Sequence, residues 1–518
     1  MTRILNMKHG QATREMTRQS LRALNGHGDP GRFGRMFPTL DPLVVGDDKL
    51  FTLAKAMRDT APEDGKDNPN IPAGFTYLGQ FVDHDITLDL TPLDLQKADP
   101  LATQNFRSPA LDLDSLYGPG PVLAPFMYQR DAKGRKLPKL LVGRTDPSPD
   151  GTGTDLPEFF ADLPRTGAGR AVIGDERNDE NLLVAQTHLA FLKFHNAVVD
   201  WVQQRHPALD RDALFEEAQR LTRWHYQWIV LYDFVEKLTE KGLIDRIRRE
   251  GRRFYRFKTR PYMPAEFSAA AYRLGHSMIR ESYSHNRVFR PGGPLGGTTG
   301  TLKLLFFFSG KSGAIIGDLA ATADRADFPN GPGPQRVLPS NWIVDWRRFF
   351  DFKTPPGADF LLNPSRRLDP LIVPELHGLP GEEGRFAVLP FRNLRRGVQL
   401  ELPSGQHVAR AMGITPMAPE DFVDGSPDGQ AADDTGLNDT TPLWYYILKE
   451  ASVIGKGKRL GPVGSLIIAE TFLGIVHGDQ NSFLWQRENW KPELPSAEPG
   501  TFTMVDLLNF VGDINPLG

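Results

Sequence analysis

The chain has 518 residues, a formal net charge of −3 and no cysteine. That charge gives no basic footprint for nucleic acid and no polybasic membrane signal. The missing cysteine excludes disulfides, thiolate metal sites and cysteine nucleophiles, so any metal must rest on His, Asp, Glu or backbone oxygen.

The first 24 residues, MTRILNMKHGQATREMTRQSLRAL, carry charge throughout and lack the apolar run of a Sec-type signal peptide. A soluble protein is expected, cytoplasmic or exported without such a signal, with no membrane span. Residues 1–60 read as an extension packing on one large domain, 61–518. The 50 glycines and 43 prolines cluster in loops such as 117–170, 288–300 and 415–441, between clearly helical blocks. The expected class is mainly α, with few short strands and long loops.

In chain order, GQFVDHD (79–85) crowds His84 between Asp83 and Asp85, with Gln80 one helical turn earlier. SPALDLDSLYG (108–118) then alternates oxygen donors: Ser108, the Ala110 carbonyl, Asp112 and Asp114. Hard cations such as calcium take six to eight oxygens, often from every second loop residue, and Asp85 could supply one more. The EF-hand spacing and its glycine are absent, so the same letters also suit an ordinary turn.

GDERNDENLL (174–183) sets Arg177 and Glu180 just before the strongest helix, whose Leu182, Ala185, Leu189, Leu192, Val199 and Val202 follow the 3.6 period until Pro207. His188 and His195 lie seven apart on it and read as packing or pocket-adjacent residues. A second helix starts from Asp210 as N-cap and runs past Val235. PAEFSAAAYRLGHSMIRESY predicts a third, small-sided around His276, which suits the approach of a large flat group or an ordinary core histidine. WIVDWRRFFDF (342–352) predicts a fourth, with Trp342 and Trp346 as packing residues. LGPVGSLIIAETFLGIV (460–476) holds a buried fifth rather than a membrane span. In FRNLRRG (391–397), Asn393 could accept a hydrogen bond from a histidine N–H, fixing the tautomer of a ligating imidazole.

Taken in order, GQFVDHD, SPALDLDSLYG, R-x-x-E before a long helix, YRLGH and N-L-R-R resemble the haem peroxidases of the peroxidase–cyclooxygenase superfamily, over roughly residues 70–410. The resemblance implies haem b and Ca²⁺ as cofactors. It makes His84 the distal base, Arg177 the distal arginine and Gln80 the residue lining a small-anion site. His276 becomes the proximal iron ligand, Asn393 its hydrogen-bond partner and Arg396 a haem-propionate partner. Asp85, Ser108, Ala110, Asp112 and Asp114 form the calcium loop. Asp83 and Glu180 match the carboxylates that form haem esters in the mammalian enzymes, without deciding whether such bonds form here. Asn181 stands where myeloperoxidase carries a vinyl-bonded methionine, so that link is expected to be absent.

The implied activity is oxidation of phenols or small anions (halide, thiocyanate) by H₂O₂ through a ferryl oxidant, with no nucleic-acid partner and an open oligomeric state. Two alternatives stand beside it. One is a fatty-acid dioxygenase, whose pattern is Y-x-x-H, whereas Tyr272 lies four residues before His276. The other is a non-catalytic haem- and calcium-binding protein, which would need neither His84 nor Arg177.

Overall fold

A computed structural model describes residues 33–60, 65–88, 105, 107–313, 337–353, 360–379 and 382–518. Among these, and besides a helix at Pro427–Thr435, nine helices of eight or more residues carry the architecture: α1 (Asp47–Ala56), α2 (Gly74–Ile86), α3 (Leu182–Arg205), α4 (Arg211–Ile229), α5 (Leu243–Glu250), α6 (Leu389–Gln399), α7 (Leu443–Val453), α8 (Pro462–Gly478) and α9 (Met504–Val511). Strands are short and pair only in twos, so the chain is mainly α, as the composition of its blocks suggests. None of the described helices is long and apolar enough to cross a membrane.

The helices begin where capping chemistry predicts. The Asn181 side chain accepts from Val184 N at the start of α3, and Asp210 does the same for Ala213 N at the start of α4. α4 then loosens into a π-helical turn, Val230–Phe234, and recovers over Val235–Leu238. α2 enters without a side-chain cap, tight against its neighbours. A Cβ on Gly74 would sit 2.6 Å from the Phe349 carbonyl and 2.5 Å from the Phe350 ring, so only glycine admits that approach. α2 and α3 lock through Phe81 stacked on Phe191, centroids 4.7 Å apart and planes 6° off parallel, with Tyr226 of α4 edge-on to both rings.

Two expected helices differ. The stretch from Pro264 is broken: a single turn at Ala265–Ser268, then a 3₁₀ segment, Ala271–His276, with Ala270 between them at φ −129°, ψ −77°. Alanine favours helix, but distant partners hold this segment in another shape. Tyr272 donates to Gly79 O (3.0 Å) and Trp444 Nε1 donates to Arg273 O (3.2 Å). The stretch 342–352 likewise gives only 3₁₀ turns at Ser340–Trp342 and Trp346–Arg348, because the buried Asp345 carboxylate takes Arg347 N and both flanking guanidinium groups. Trp342 and Trp346 are core residues as expected, Trp342 stacking on Phe289 and Phe308. FRNLRRG lies within α6.

Of the N-terminal extension, residues 1–32 lie outside the described residues. From Phe33 the chain packs inward: Phe33–Gly34 pairs with Met263–Pro264, and Arg35 donates to the carbonyls of Leu400 and Glu401. This brings Phe33 to the wall of the cavity that His84 and His276 line.

Candidate active site

A cavity of about 410 Å³ opens between α2, the 3₁₀ turn Glu176–Asp179, the 3₁₀ segment Ala271–His276 and α6. Gln80, Asp83, His84, Arg177, Glu180, His276 and Arg396 all line it, so residues as far apart as 80 and 396 converge.

His84 sits on the last turn of α2, buried. Its Nδ1 pairs with Asn178 Oδ1 (2.8 Å), and Asn178 Nδ2 pairs in turn with His188 Nδ1 (2.9 Å). An amide oxygen only accepts, so this contact puts the His84 proton on Nδ1 and leaves Nε2, which has no partner among the described residues, as a lone pair. Burial, with Arg177 next, pushes the imidazole down to about 3, keeping it neutral and able to take a proton.

Arg177 is anchored through Nε and Nη2 to Asp175, and through Nη2 to the carbonyls of His84 (2.9 Å) and Thr87 (2.6 Å). Its Nη1 has no partner among the described residues. Burial alone would raise Asp175, but Arg177 and Arg107 hold it well below the ordinary carboxylate range. Asn181 does two jobs, capping α3 and donating from Nδ2 to Gln80 Oε1 (2.8 Å), which orients that amide. Glu180 accepts from Lys311 Nζ (2.9 Å). Asp83 is raised by burial and takes a hydrogen bond from Thr87 Oγ1 (3.0 Å).

His276 is likewise neutral, pushed to about 3 by burial, then by Arg273 and Arg392. Asn393 meets its Nδ1 at 2.8 Å, but in the opposite sense to the one expected. The Asn393 carbonyl accepts from Arg273 Nη1 (3.2 Å) and its amide nitrogen faces the imidazole. Arg273 offers only donors, so it claims the carbonyl. An iron at His276 Nε2 would need the other tautomer and the amide turned over, at the cost of that 3.2 Å contact.

The cavity otherwise suits a haem. It presents two neutral imidazoles whose Nε2 atoms have no partner among the described residues. A Cβ built on Gly275 meets nothing within 4 Å, so open space borders the backbone beside His276. Arg396, buried on α6, supplies a cation at the wall. Phe306, from the aromatic run LLFFFSG, forms part of the wall as well.

Next to it, Asp85, Asp112 and Asp114 bring carboxylate oxygens within 4.8 Å of one another, all buried. Ser108 donates to Asp112 Oδ2 (2.7 Å), and Leu113 N to Asp85 Oδ2 (3.1 Å). Leu113 adopts a left-handed conformation, φ 58°, unusual for leucine and the kind of strain met in binding loops. Burial and mutual repulsion raise Asp85 well above its ordinary value, and burial raises Asp114 to about 7. Three such carboxylates are a donor set matched to a hard divalent cation. Arg107 reaches Asp114 Oδ1 (2.6 Å) and also pairs with Asp175.

The sequence pattern passed over Asn178 and treated Asn181 only as a missing methionine. Their signal was position, one and four residues after Arg177 in RNDEN. His195 packs as expected, bonded to Tyr117 and the Pro138 carbonyl.

Residues 91–290 match the family model described as animal haem peroxidase. A chorion peroxidase of Aedes aegypti is 30% identical over 112 residues, covering 20% of this chain and 14% of that protein. The chain spans less than a quarter of the length of the curated relatives it matches. Among solved structures, peroxidase A from Dictyostelium discoideum superposes with a TM-score of 0.59 at 15% identity, covering 95% of both chains. An Oryza sativa fatty acid alpha-dioxygenase gives 0.58 at 15% identity, covering 94% of this chain and 80% of that one. These two likenesses establish the shared fold.

Proposed function

We propose, from the match of residues 91–290 to the animal haem peroxidase family model, that the chain is a haem peroxidase, oxidising phenolic donors or small anions with H₂O₂. The observation that carries this reading is His84, a neutral buried imidazole with its proton committed to Asn178 and its Nε2 lone pair left over in the cavity that His276 also lines. Haem bound at His276 would supply the iron at which peroxide is cleaved and from which donors are oxidised.

The chain's own residues handle protons and charge. His84 Nε2 takes a proton from H₂O₂ and returns it to the departing oxygen. Arg177, rigidly held by Asp175, directs Nη1 at the negative charge that develops on that oxygen. Gln80, oriented by Asn181, and Arg396 position a small anion and a haem carboxylate. Asp85, Ser108, the Ala110 carbonyl, Asp112 and Asp114 hold calcium, bracing the helix that carries His84. Asp83 and Glu180 are the carboxylates available for ester bonds to haem.

The test is the absorption spectrum of haem-loaded protein before and after H₂O₂. No haem band, or a band that peroxide leaves unchanged, would refute the reading.

A fatty-acid dioxygenase is the second reading, favoured by one observation: Tyr272 lines the same cavity. Its hydroxyl, however, is committed to Gly79 O, and burial raises it well above the ordinary tyrosine value. Oxygen uptake with palmitate, set against guaiacol oxidation with H₂O₂, separates the two. Guaiacol turnover without oxygen uptake is expected.

A further inference from the structure

The chain-wide charge of −3 conceals one strongly basic stretch. Residues 244–260, IDRIRREGRRFYRFKTR, hold eight cationic side chains and two carboxylates. α5 ends at Glu250, Gly251 turns the chain at φ 85°, and the following loop crosses α8. Glu470 of α8, buried, clamps that loop by accepting from the backbone N–H groups of Arg253 (2.8 Å), Phe254 (2.7 Å) and Tyr255 (2.8 Å). Its oxygens are therefore committed to backbone and do not pair with the guanidinium groups nearby.

Between α5, this loop and α8 lies a second cavity, of about 520 Å³, remote in sequence from the first. Arg248, Arg252, Arg256 and His477 line it, with Glu488 as the one lining carboxylate. Arg248 donates to Tyr232 Oη (2.6 Å) and Arg256 to Arg253 O (2.8 Å). Arg252 lies over the Phe257 ring at 4.4 Å and donates to Tyr255 O (3.1 Å). None of the three meets a carboxylate within 4 Å among the described residues. Gly474 makes room: a Cβ there would fall 2.7 Å from Arg252 Nη1 and 2.3 Å from the Tyr255 ring.

Three guanidinium groups facing one cavity attract an anion, and Arg252, half-buried between the exposed Arg248 and Arg256, is the one whose desolvation an anion offsets. Burial pushes Arg252 below its ordinary value, against the opposing pull of Tyr255 and of the Glu470 carboxylate. Guanidinium forks match phosphate oxygens two at a time. The remaining wall, including Phe257, Leu473 and Leu484, is apolar, and the volume falls in the roughly 300–1,000 Å³ range of small-molecule sites.

We propose that this cavity binds an organic phosphate, its phosphate group held by Arg248, Arg252 and Arg256 and its apolar body lying against Phe257 and Leu473. The site is independent of the peroxidase reading.

Calorimetric titration of the full chain with phenyl phosphate, and co-sedimentation with phosphatidylcholine vesicles containing phosphatidic acid, test it. R252Q and R256Q are run in parallel, with unchanged far-UV circular dichroism and thermal midpoint as the control for folding. Saturable binding of phenyl phosphate, weakened by salt and at least about tenfold weaker in either variant, is expected. Vesicle binding lost in the variants would also support the site and make a lipid the source of the phosphate. Binding of either probe with equal affinity to wild type and variants, or of neither probe, overturns the proposal.

Discussion

Replacing Asn178 with alanine removes the one partner of His84 Nδ1 and the donor to His188 Nδ1, both within a fully buried pocket. His84 escapes the penalty by moving its proton to Nε2, where it can no longer act as a base. The hydrogen bond that now opposes this shift stabilises the active tautomer by about 1–3 kcal/mol, the usual cost of orphaning a buried polar group. At about 1.4 kcal/mol per tenfold, the base-competent fraction falls roughly 5- to 150-fold. The second-order reaction of haem-loaded protein with H₂O₂, followed by stopped-flow absorption, should slow by that factor. Removing the base outright in His84→Ala should cost about 10²–10⁴. Asn178→Asp keeps an acceptor against Nδ1 and should recover most of the rate. An Asn178→Ala protein that melts earlier yet reacts with peroxide at the wild-type rate would refute the tautomer reasoning, because only the structural role would then remain.

Three other outcomes follow from the geometry. His276→Ala should abolish the haem absorption band while circular dichroism still reports a helical fold; a retained band would move the ligand elsewhere. Calcium should stabilise the fold by about 2.7 kcal/mol at a hundredfold excess over Kd, read as a raised thermal midpoint that a chelator lowers, and Asp112→Asn should erase most of the difference. Glu450 is buried and accepts from Val463 N and Gly464 N at the start of α8, and burial raises it from 4.5 to about 7. The folded state therefore binds the extra proton, so this contribution is full below pH 4.5 and is lost as pH rises through 7. It amounts to about 3 kcal/mol at most. Glu450→Gln should flatten the decline in denaturant stability between pH 5 and 7; an unchanged slope would exclude Glu450 as its source.

What could be read in advance was whatever local chemistry decides. α3 declared itself through an apolar 3.6 period and Pro207 past its end. His84, Arg177 and His276 were marked by residue type and order, and the structure brings them to one cavity. The segment around His276 was not legible as 3₁₀, because its helix-friendly alanines are overruled by bonds from Tyr272 and Trp444 to residues 193 and 171 positions away. The turn of Asn393 escaped for the same reason: Arg273, 120 residues distant, decides which amide atom faces the imidazole. A net charge near zero hid the arginine cavity, since charge averaged over a chain says nothing about where it gathers.

Arg107 joins the acidic cluster to the cavity, with one guanidinium nitrogen on Asp114 and two donors on the Asp175 carboxylate that steadies Arg177. A divalent cation at Asp114 competes with Arg107 for that carboxylate, and any slackening passes to Asp175 and then to Arg177. If calcium binds the Asp85, Asp112 and Asp114 cluster and peroxide the cavity as proposed, the two sites would draw on a common counter-ion and their equilibria would be linked. Linkage is reciprocal: the factor by which metal changes the affinity of an anion near Arg177 is the factor by which that anion changes the affinity for metal. A peroxidase built this way would hold its calcium more or less tightly according to what occupies its distal side.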